Sequence, residues 1–221
     1  MLMPSSQDRL SLGLYHPTGD LSALEINKDA LDDFTSILSA GGSDTTVVPN
    51  IQLVKFVKNM WNVVFGGSAA LMRSPLAEVF RPQNTNSETR VTTEIDKTNI
   101  SPSYEKTSQI SSAAPLIAFN TIPLFYEALS ELQSLGRALF PSSPEFGQDV
   151  AFGTLQRTSV ANSQPHSTHR ASMLADIENG RPMEVEVILG EVVRMARAKG
   201  LALPVSVDYL RQMNGRLNGI T

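Results

Sequence analysis

At 221 residues, 41% of them hydrophobic and 18% charged, the chain has the composition of a globular protein with one sizeable core or two small ones. A formal net charge of −4 leaves no basic face, which argues against nucleic acid and anionic membranes as partners. The chain has no cysteine, so disulfides, thiolate catalysis and cysteine-based metal sites are excluded. The first residues show no signal peptide and no segment is apolar over about 18 residues, so we expect a cytoplasmic protein.

The N-terminal residues predict a small α/β unit. Alternating apolar residues in RLSLGLYH and LSALEINK indicate two short strands, joined as a hairpin by a Pro-Thr-Gly-Asp turn. DALDDFTSILSAGG predicts a helix that ends at Gly41-Gly42, and TTVVPN predicts a third strand. Three short strands and one helix bury too little surface to be stable alone, so we expect this unit to lean on the residues that follow.

From residue 51 onward the patterns are mostly helical. VKFVKNMWNVVFGG predicts a buried helix, and a Ser/Thr/Asn-rich stretch over about 81–115 predicts a mobile insertion, because it offers too few apolar residues to offset its ordering entropy. LIAFNTIPLFYEALSELQSLGRALF predicts a helix interrupted at Pro123, and residues 141–169 are interpreted as a loop. A pair of helices around residues 179–182 and a last helix from about residue 205 complete the chain.

Several signatures of catalysis and cofactor binding are missing from the sequence. It contains no G-x-G-x-x-G turn between a strand and a helix, no phosphate-binding P-loop, no G-x-S-x-G and no H-E-x-x-H. His166 and His169 have the i, i+3 spacing of two ligands on a helix, but they lie in a Ser/Gln/Pro-rich stretch with no third ligand nearby. We therefore predict no metal site.

Lys58 and Asn62 form the first polar pair of interest. Their i, i+4 spacing can present an ammonium and an amide to one ligand, and a lysine in apolar surroundings can donate a proton to a carbonyl oxygen. From the spacing alone, the better explanation of this pair is structural: the lysine extends its charge into solvent, and the asparagine binds no ligand. Lys55 and Asn59 have the same spacing, so the pattern does not single out one pair.

The most specific pattern is SMLADIENGRPMEVEVILGEVVRMARAKGLALP, residues 172–204. Glu184 falls at a predicted helix start, where the helix dipole alone would explain a carboxylate, and Glu191 is interpreted as solvated. Gly190 interrupts this helix at a cost of about 1 kcal/mol relative to alanine. The second half of the segment is an amphipathic helix, whose apolar stripe is formed by Val185, Ile188, Leu189, Val192, Met195 and Ala196.

Together with FVKNMWN, this segment resembles the C-terminal portion of the ketopantoate reductase (2-dehydropantoate 2-reductase) family. The resemblance covers roughly residues 10–217, apart from the insertion. It implies a mainly α protein, in which residues 51–221 form an all-helical domain like the C-terminal domain of 6-phosphogluconate dehydrogenase. Residues 1–50 would be the remnant of a Rossmann-type nucleotide-binding α/β domain, most of which is missing from this sequence.

The same resemblance implies a function and the residues that perform it. The family reduces ketopantoate with NADPH in pantothenate biosynthesis, so the expected reaction converts ketopantoate or a branched-chain 2-oxo acid to its 2-hydroxy acid. Lys58 matches the family's general acid and Glu184 a carboxylate that orients the site. Asn62 matches an amide that holds the substrate and Ser172 a hydroxyl that binds its carboxylate. Gly190 is expected to let a neighbouring helix approach.

The sequence also departs from the family pattern. Gly66 and Leu76 stand where two further substrate amides are expected. Without the glycine-rich turn, we expect the chain alone to bind NADPH only weakly. The alternative function is a truncated, catalytically inactive binding or dimerisation module, with a homodimer as one assembly open to it.

Overall fold

The computed structural model describes residues 9–15, 28–82 and 100–218. The chain divides into two compact units, Met1–Lys58 and Asn59–Thr221. Helices dominate the described residues and strands are confined to a short pair near the N-terminus, which confirms the predicted mainly α fold class. Within the described ranges, no helix is both long and apolar enough to cross a bilayer.

The first unit pairs two short strands through a helical crossover. β1 (Arg9–Leu12) runs parallel to β2 (Asp44–Val47), and α1 (Lys28–Ala40) lies between them in the sequence, as a parallel pair requires. Both strands and the helix were predicted. The second strand of the predicted hairpin, LSALEINK, lies outside the described residues except for Lys28, which begins α1.

The helix α1 ends at Gly41-Gly42, as predicted. Gly42 has a φ of 93°, a left-handed conformation that glycine adopts without steric cost. The N–H of Ser43 donates to the carbonyl of Leu38 at 3.2 Å and the N–H of Gly42 to that of Ser39 at 3.0 Å. This pair of bonds is the Schellman arrangement, which satisfies the last carbonyls of the helix.

The long apolar stretch after residue 50 is helical but not one regular helix. Its first part is α2 (Ile51–Trp61), and the division between the two compact units falls within this helix, after Lys58. The helix then widens into a π-helical turn, here called the first π-segment (Asn62–Gly66), and continues as α3 (Gly67–Met72). Arg73 has a φ of 52° and ends α3, and the short α4 (Ala77–Phe80) follows.

The prediction that residues 81–115 form a mobile insertion is wrong for the last part of this range. Residues 83–99 lie outside the described residues, but α5 (Pro102–Thr107) follows them and packs on a later helix. The side chain of Ser101 accepts the N–H of Tyr104 at 3.2 Å, and Pro102 occupies the first helical position. Thr107 and Ile110 are buried, so this part of the stretch packs into the fold.

The helix predicted to be interrupted at Pro123 is irregular just before this residue. A second π-segment (Ile117–Thr121) leads into α6 (Ile122–Leu139), with Pro123 at its second residue. Proline has no N–H to donate, so the regular backbone pattern cannot run through this point. The N–H of Ile122 donates instead to the carbonyl of Ile117, five residues back.

The loop predicted for residues 141–169 is wrong, because α7 (Val150–Ser163) occupies much of it. The side chain of Asp149 accepts the N–H of Phe152 at 2.9 Å and caps the helix start. The helix buries small polar residues as well as apolar ones, so it lacks the apolar periodicity that a sequence pattern detects. Its buried residues are Ala151, Thr154, Leu155, Thr158, Ser159 and Asn162.

The predicted C-terminal helices are confirmed. They comprise α8 (Ser172–Glu178), a third π-segment (Glu186–Gly190), α9 (Glu191–Ala198) and α10 (Pro204–Asn218). The predicted apolar stripe faces the core: Val185, Ile188, Leu189, Val192 and Ala196 are buried, and Met195 is half-buried.

Three phenylalanines meet at the centre of the second unit. Phe65 of the first π-segment, Phe80 of α4 and Phe125 of α6 have at most 1% of their surface exposed. The ring centroids of Phe65 and Phe125 are 5.3 Å apart in an edge-to-face arrangement, and Phe80 lies 6.2 and 6.1 Å from them. This cluster joins three elements that are far apart in the sequence.

A carboxylate on α6 fixes the start of α10. Glu131 accepts hydrogen bonds from the N–H of Val205 at 2.8 Å, the N–H of Ser206 at 3.0 Å and the hydroxyl of Ser206 at 2.9 Å. These donors are among those that a helix start leaves unpaired. Farther along α10, the buried Tyr209 accepts a hydrogen bond from Ser68 at 3.1 Å, and burial raises the pKa of its phenol.

We expect Glu131→Gln to lower the free energy of unfolding by about 1–3 kcal/mol, because the amide cannot accept at both ends and leaves a helix N–H unpaired. Urea denaturation of the full chain measures this change. Glu127→Gln is the control, since Glu127 lies one turn earlier on α6, is exposed and accepts only the Ser103 hydroxyl at 2.8 Å. Its effect should stay within about 0.5 kcal/mol. Equal losses from both variants would contradict the capping role of Glu131.

Candidate functional site

Lys58 lies near the end of α2 and is the last residue of the first compact unit. Its side chain is exposed, as is that of Lys55 one turn earlier, so neither lysine is held in apolar surroundings. The general-acid role of Lys58 stays a prediction.

Asn62 is the first residue of the first π-segment. Its carbonyl accepts the N–H of Gly67, five residues on, and its side chain is half-buried. The next four residues are buried, so Asn62 marks the point where this helix enters the core. Its side-chain amide has no hydrogen-bond partner among the described residues, which leaves it available to a ligand. Single π-turns inside helices occur frequently at functional sites.

Ser172 is the first residue of α8, and its side chain is exposed. The two residues that follow it, Met173 and Leu174, are buried and hold the helix in place. The terminal methyl carbon of Met173 lies 3.1 Å from the position that a Cβ atom would take at Gly66. The start of α8 therefore contacts the end of the first π-segment.

Glu184 directly precedes the helix that contains the third π-segment, so this helix begins one residue later than predicted, and the side chain of Glu184 is exposed. Its carbonyl accepts the N–H of Ile188 at 2.9 Å. The turn before it is held by Arg181, whose backbone N–H donates to the carbonyl of Asp176 at 2.8 Å and whose guanidinium pairs with the Asp176 carboxylate at 2.9 Å. This turn gives Glu184 a defined position relative to α8.

Asn59 connects two of these elements, which the sequence did not predict. Its side-chain Nδ2 donates to the carbonyl of Ile188, within the third π-segment, at 3.1 Å. The amide is thus engaged inside the fold, which weakens the alternative that Lys55 and Asn59 form the ligand-binding pair. No local sequence pattern could reveal this bond, because its partners are 129 residues apart.

The first π-segment, which carries Asn62, contacts both α8, which carries Ser172, and the third π-segment, which follows Glu184 in the sequence. The predicted site residues would supply an amide, a hydroxyl and a carboxylate, a set suited to hydrogen bonds with a small polar ligand. Among the described residues, no group of three His, Asp or Glu side chains is arranged to hold a metal ion.

Gly190 does not serve the purpose predicted from the sequence. The atoms nearest to a Cβ added there belong to Glu186 and Arg194 of the same helix, so the expected approach of a neighbouring helix is wrong. The glycine makes room for an ion pair between these two side chains, at 3.0 Å. Arg194 also pairs with the exposed Glu191 at 2.9 Å, and both carboxylates raise the pKa of Arg194, Glu191 more than Glu186.

His169, one of the two histidines with the spacing of metal ligands, packs on Trp61. The two rings meet edge to face, with their centroids 5.6 Å apart. The indole Nε1 of Trp61 donates to the hydroxyl of Thr158 on α7 at 3.0 Å. Trp61 thus anchors the end of α2 to α7, next to Asn62.

The two departures from the family pattern have structural counterparts. Leu76 is 1% exposed, so this position belongs to the core and has no access to a ligand. At Gly66, a larger side chain would need the Met173 methyl to move.

The described residues of the first unit do not fit a dinucleotide. A cofactor cradle needs a glycine-rich turn that leads from a strand into a helix and leaves backbone N–H groups open to the pyrophosphate. Gly13 follows β1, but a Cβ added there would lie 2.8 Å from the carbonyl of Val48 and 2.9 Å from the Cβ of Ile51. This glycine serves close packing of the chain on itself.

Comparison with known proteins finds a family match over part of the chain. Residues 120–212 match the family described as "Ketopantoate reductase PanE/ApbA C terminal", a range that includes Ser172 and Glu184. None of the curated proteins matches the sequence.

Solved structures show a similar fold at low sequence identity. A 2-dehydropantoate 2-reductase from Methylococcus capsulatus has a TM-score of 0.58 and 21% identity, over 95% of this chain and 55% of that one. The same enzyme from Geobacter metallireducens GS-15 has a TM-score of 0.58 and 14% identity, over 85% and 48%. A D-mandelate dehydrogenase solved with NADH and anilino(oxo)acetate has a TM-score of 0.54 and 15% identity, over 87% and 63%. The chain thus spans about half the length of the two reductases.

We expect Gly190→Ala to change the free energy of unfolding by less than about 1 kcal/mol. Alanine favours the helix by about that amount and displaces only the flexible end of Glu186. Gly136→Ala is the comparison, because its Cβ would overlap the ring of the buried Phe146 and should cost about 1–3 kcal/mol. Thermal and urea unfolding measure both changes. A large loss at Gly190 would restore the idea of a close helix approach.

Proposed function

Because residues 120–212 match the ketopantoate reductase C-terminal family, we propose that the chain supplies the substrate-binding and proton-donating half of an NADPH-dependent 2-oxo acid reductase. The substrate is ketopantoate or a branched-chain 2-oxo acid, and the product is the 2-hydroxy acid, as in pantothenate biosynthesis. The observation that carries the proposal is that the first π-segment, with Asn62, contacts both α8, with Ser172, and the third π-segment, which Glu184 precedes by two residues.

The chemistry of a 2-oxo acid suits these side chains. The hydroxyl of Ser172 can donate to the substrate carboxylate, and the unpaired amide of Asn62 can donate to a carboxylate or hydroxyl oxygen. Glu184 carries a negative charge, which would repel a carboxylate, so its place is beside a hydroxyl or ammonium group whose orientation it fixes. In ketopantoate, the hydroxyl is present on the substrate itself.

Lys58 is proposed as the proton donor. When a 2-oxo group is reduced, negative charge develops on its oxygen, and a nearby ammonium both stabilises that charge and delivers the proton. The hydride that completes the reduction is the chemistry that NADPH supplies when bound. Since the described residues form no cradle for it, we assign the cofactor no residue of this chain.

One observation favours a second candidate. Lys58, Ser172 and Glu184 are all exposed and contribute no core packing, so a catalytically inactive binding or dimerisation module with this fold is the alternative. That module would keep the helical core but would not require Lys58, Ser172 or Glu184. The two functions therefore differ in what these side chains do.

The test is a fusion of this chain to the nucleotide-binding domain of a ketopantoate reductase, assayed with NADPH and ketopantoate or 2-ketoisovalerate. We expect Lys58→Ala to lower kcat by about 10²–10⁴, the range for loss of a positioned proton donor. Glu184→Ala should lower kcat/KM. Lys55→Ala is the matched control, because it is also exposed on α2 and should change either constant little.

Two results would contradict the assignment. If Lys55→Ala abolishes activity and Lys58→Ala does not, the family register on α2 is wrong. If a folded fusion reduces neither substrate, the inactive module is the better description. Circular dichroism and a thermal midpoint for each variant would show that a loss of activity is not a loss of folding.

A further inference from the structure

The backbone of Ile188 is hydrogen-bonded to both Asn59 and Glu184. The N–H of Ile188 donates to the carbonyl of Glu184 at 2.9 Å, and the carbonyl of Ile188 accepts from the side chain of Asn59 at 3.1 Å. Asn59 itself lies three residues before Asn62 on the same helical stretch. Two hydrogen bonds and a short stretch of backbone thus connect Asn62 to Glu184, which are two residues of the proposed site.

The third π-segment is held by side chains at two of its carbonyls. Arg194 donates to the carbonyl of Glu186 at 3.0 Å, but this bond is exposed and stays within one helix. The bond from Asn59 to Ile188 is partly buried and reaches from a different element. Because π-turns depart from the regular i→i+4 pattern, an outside donor of this kind can fix where the widened turn sits.

We infer that Asn59 is a positioning residue for the substrate site. Its amide sets the spacing between Asn62 and Glu184 by holding the third π-segment against the helix that carries Asn62, and it does not itself contact the 2-oxo acid. This inference rests on the proposed function, since it concerns the same site. It also explains why Asn59 has the spacing of a ligand pair with Lys55 and yet is turned into the fold.

The experiment is an NMR titration of the ¹⁵N-labelled full chain with ketopantoate, followed through the signals of Asn62 and residues 184–190. Asn59→Asp has nearly the same shape, but it removes the N–H donor and sets a carboxylate against a carbonyl. We expect it to weaken ketopantoate binding by about tenfold, the equivalent of one lost hydrogen bond. Asn59→Gln keeps an amide and should recover part of the affinity.

The chain offers a matched control in Asn120. Its Nδ2 donates to the carbonyl of Leu116 at 3.2 Å, the same type of bond, and it lies in the second π-segment. Asn120→Asp should leave ketopantoate binding unchanged. If Asn59→Asp does not fold, Asn59→Ser replaces it, because its hydroxyl is too short to reach Ile188 and the same loss is expected.

The outcomes separate this inference from the proposed function. If the unsubstituted chain shows no ketopantoate-dependent shifts, the proposed function fails, and the role of Asn59 in substrate binding fails with it. If that chain binds and Asn59→Asp binds equally well, the function stands and the positioning role is overturned. An equal loss in Asn120→Asp would also overturn it, because the effect would then be general to such bonds.

Discussion

The contact among Phe65, Phe80 and Phe125 is the interaction on which the second unit most depends. Each ring is almost completely buried, and a buried aromatic side chain contributes more apolar area than any other residue type. Phe65 lies in the first π-segment, three residues after Asn62. Burial of Phe65 therefore fixes the orientation of the first π-segment, and with it the position of Asn62 at the edge of the core. The same packing that stabilises the unit also positions one residue of the proposed site.

Buried polar groups add specificity to this core. The side chain of Gln133 on α6 donates to the carbonyl of Gln148 at 3.0 Å and accepts the N–H of Ala151 at 2.9 Å, which fixes the start of α7. Thr158 accepts from Trp61 and donates within its own helix at 2.8 Å. An unpaired buried polar group is costly, so such bonds allow one packing arrangement and penalise alternatives. The elements of the site are held by directional bonds as well as by apolar contact.

The sequence predicted the elements whose signal is local. The stripe from Val185 to Ala196 faces the core, and α1 ends at the glycine pair that predicted its end. The sequence did not predict α7, because polar residues such as Thr158 and Asn162 face the protein core and the helix therefore shows no clear apolar periodicity. The sequence did not predict α5 either, because the N-capping residue Ser101 lies within a Ser/Thr-rich stretch that was interpreted as an insertion.

For the proposed site, the family pattern indicated Asn62, Ser172 and Glu184. The hydrogen bond from Asn59 to Ile188 depends on tertiary structure, so it leaves no pattern in the sequence.

The exposure of the proposed site residues limits what they can do in water. Ser172 and Glu184 are exposed, and a hydrogen bond from either to a ligand replaces one that water already makes. Charge stabilisation is likewise weak at the dielectric constant of water and becomes strong only where water is excluded. These side chains contribute no core packing, so the stability of the helical unit gives no reason for their presence. Exclusion of water from the site would therefore strengthen both interactions, and activity would depend on it as much as on the residues themselves.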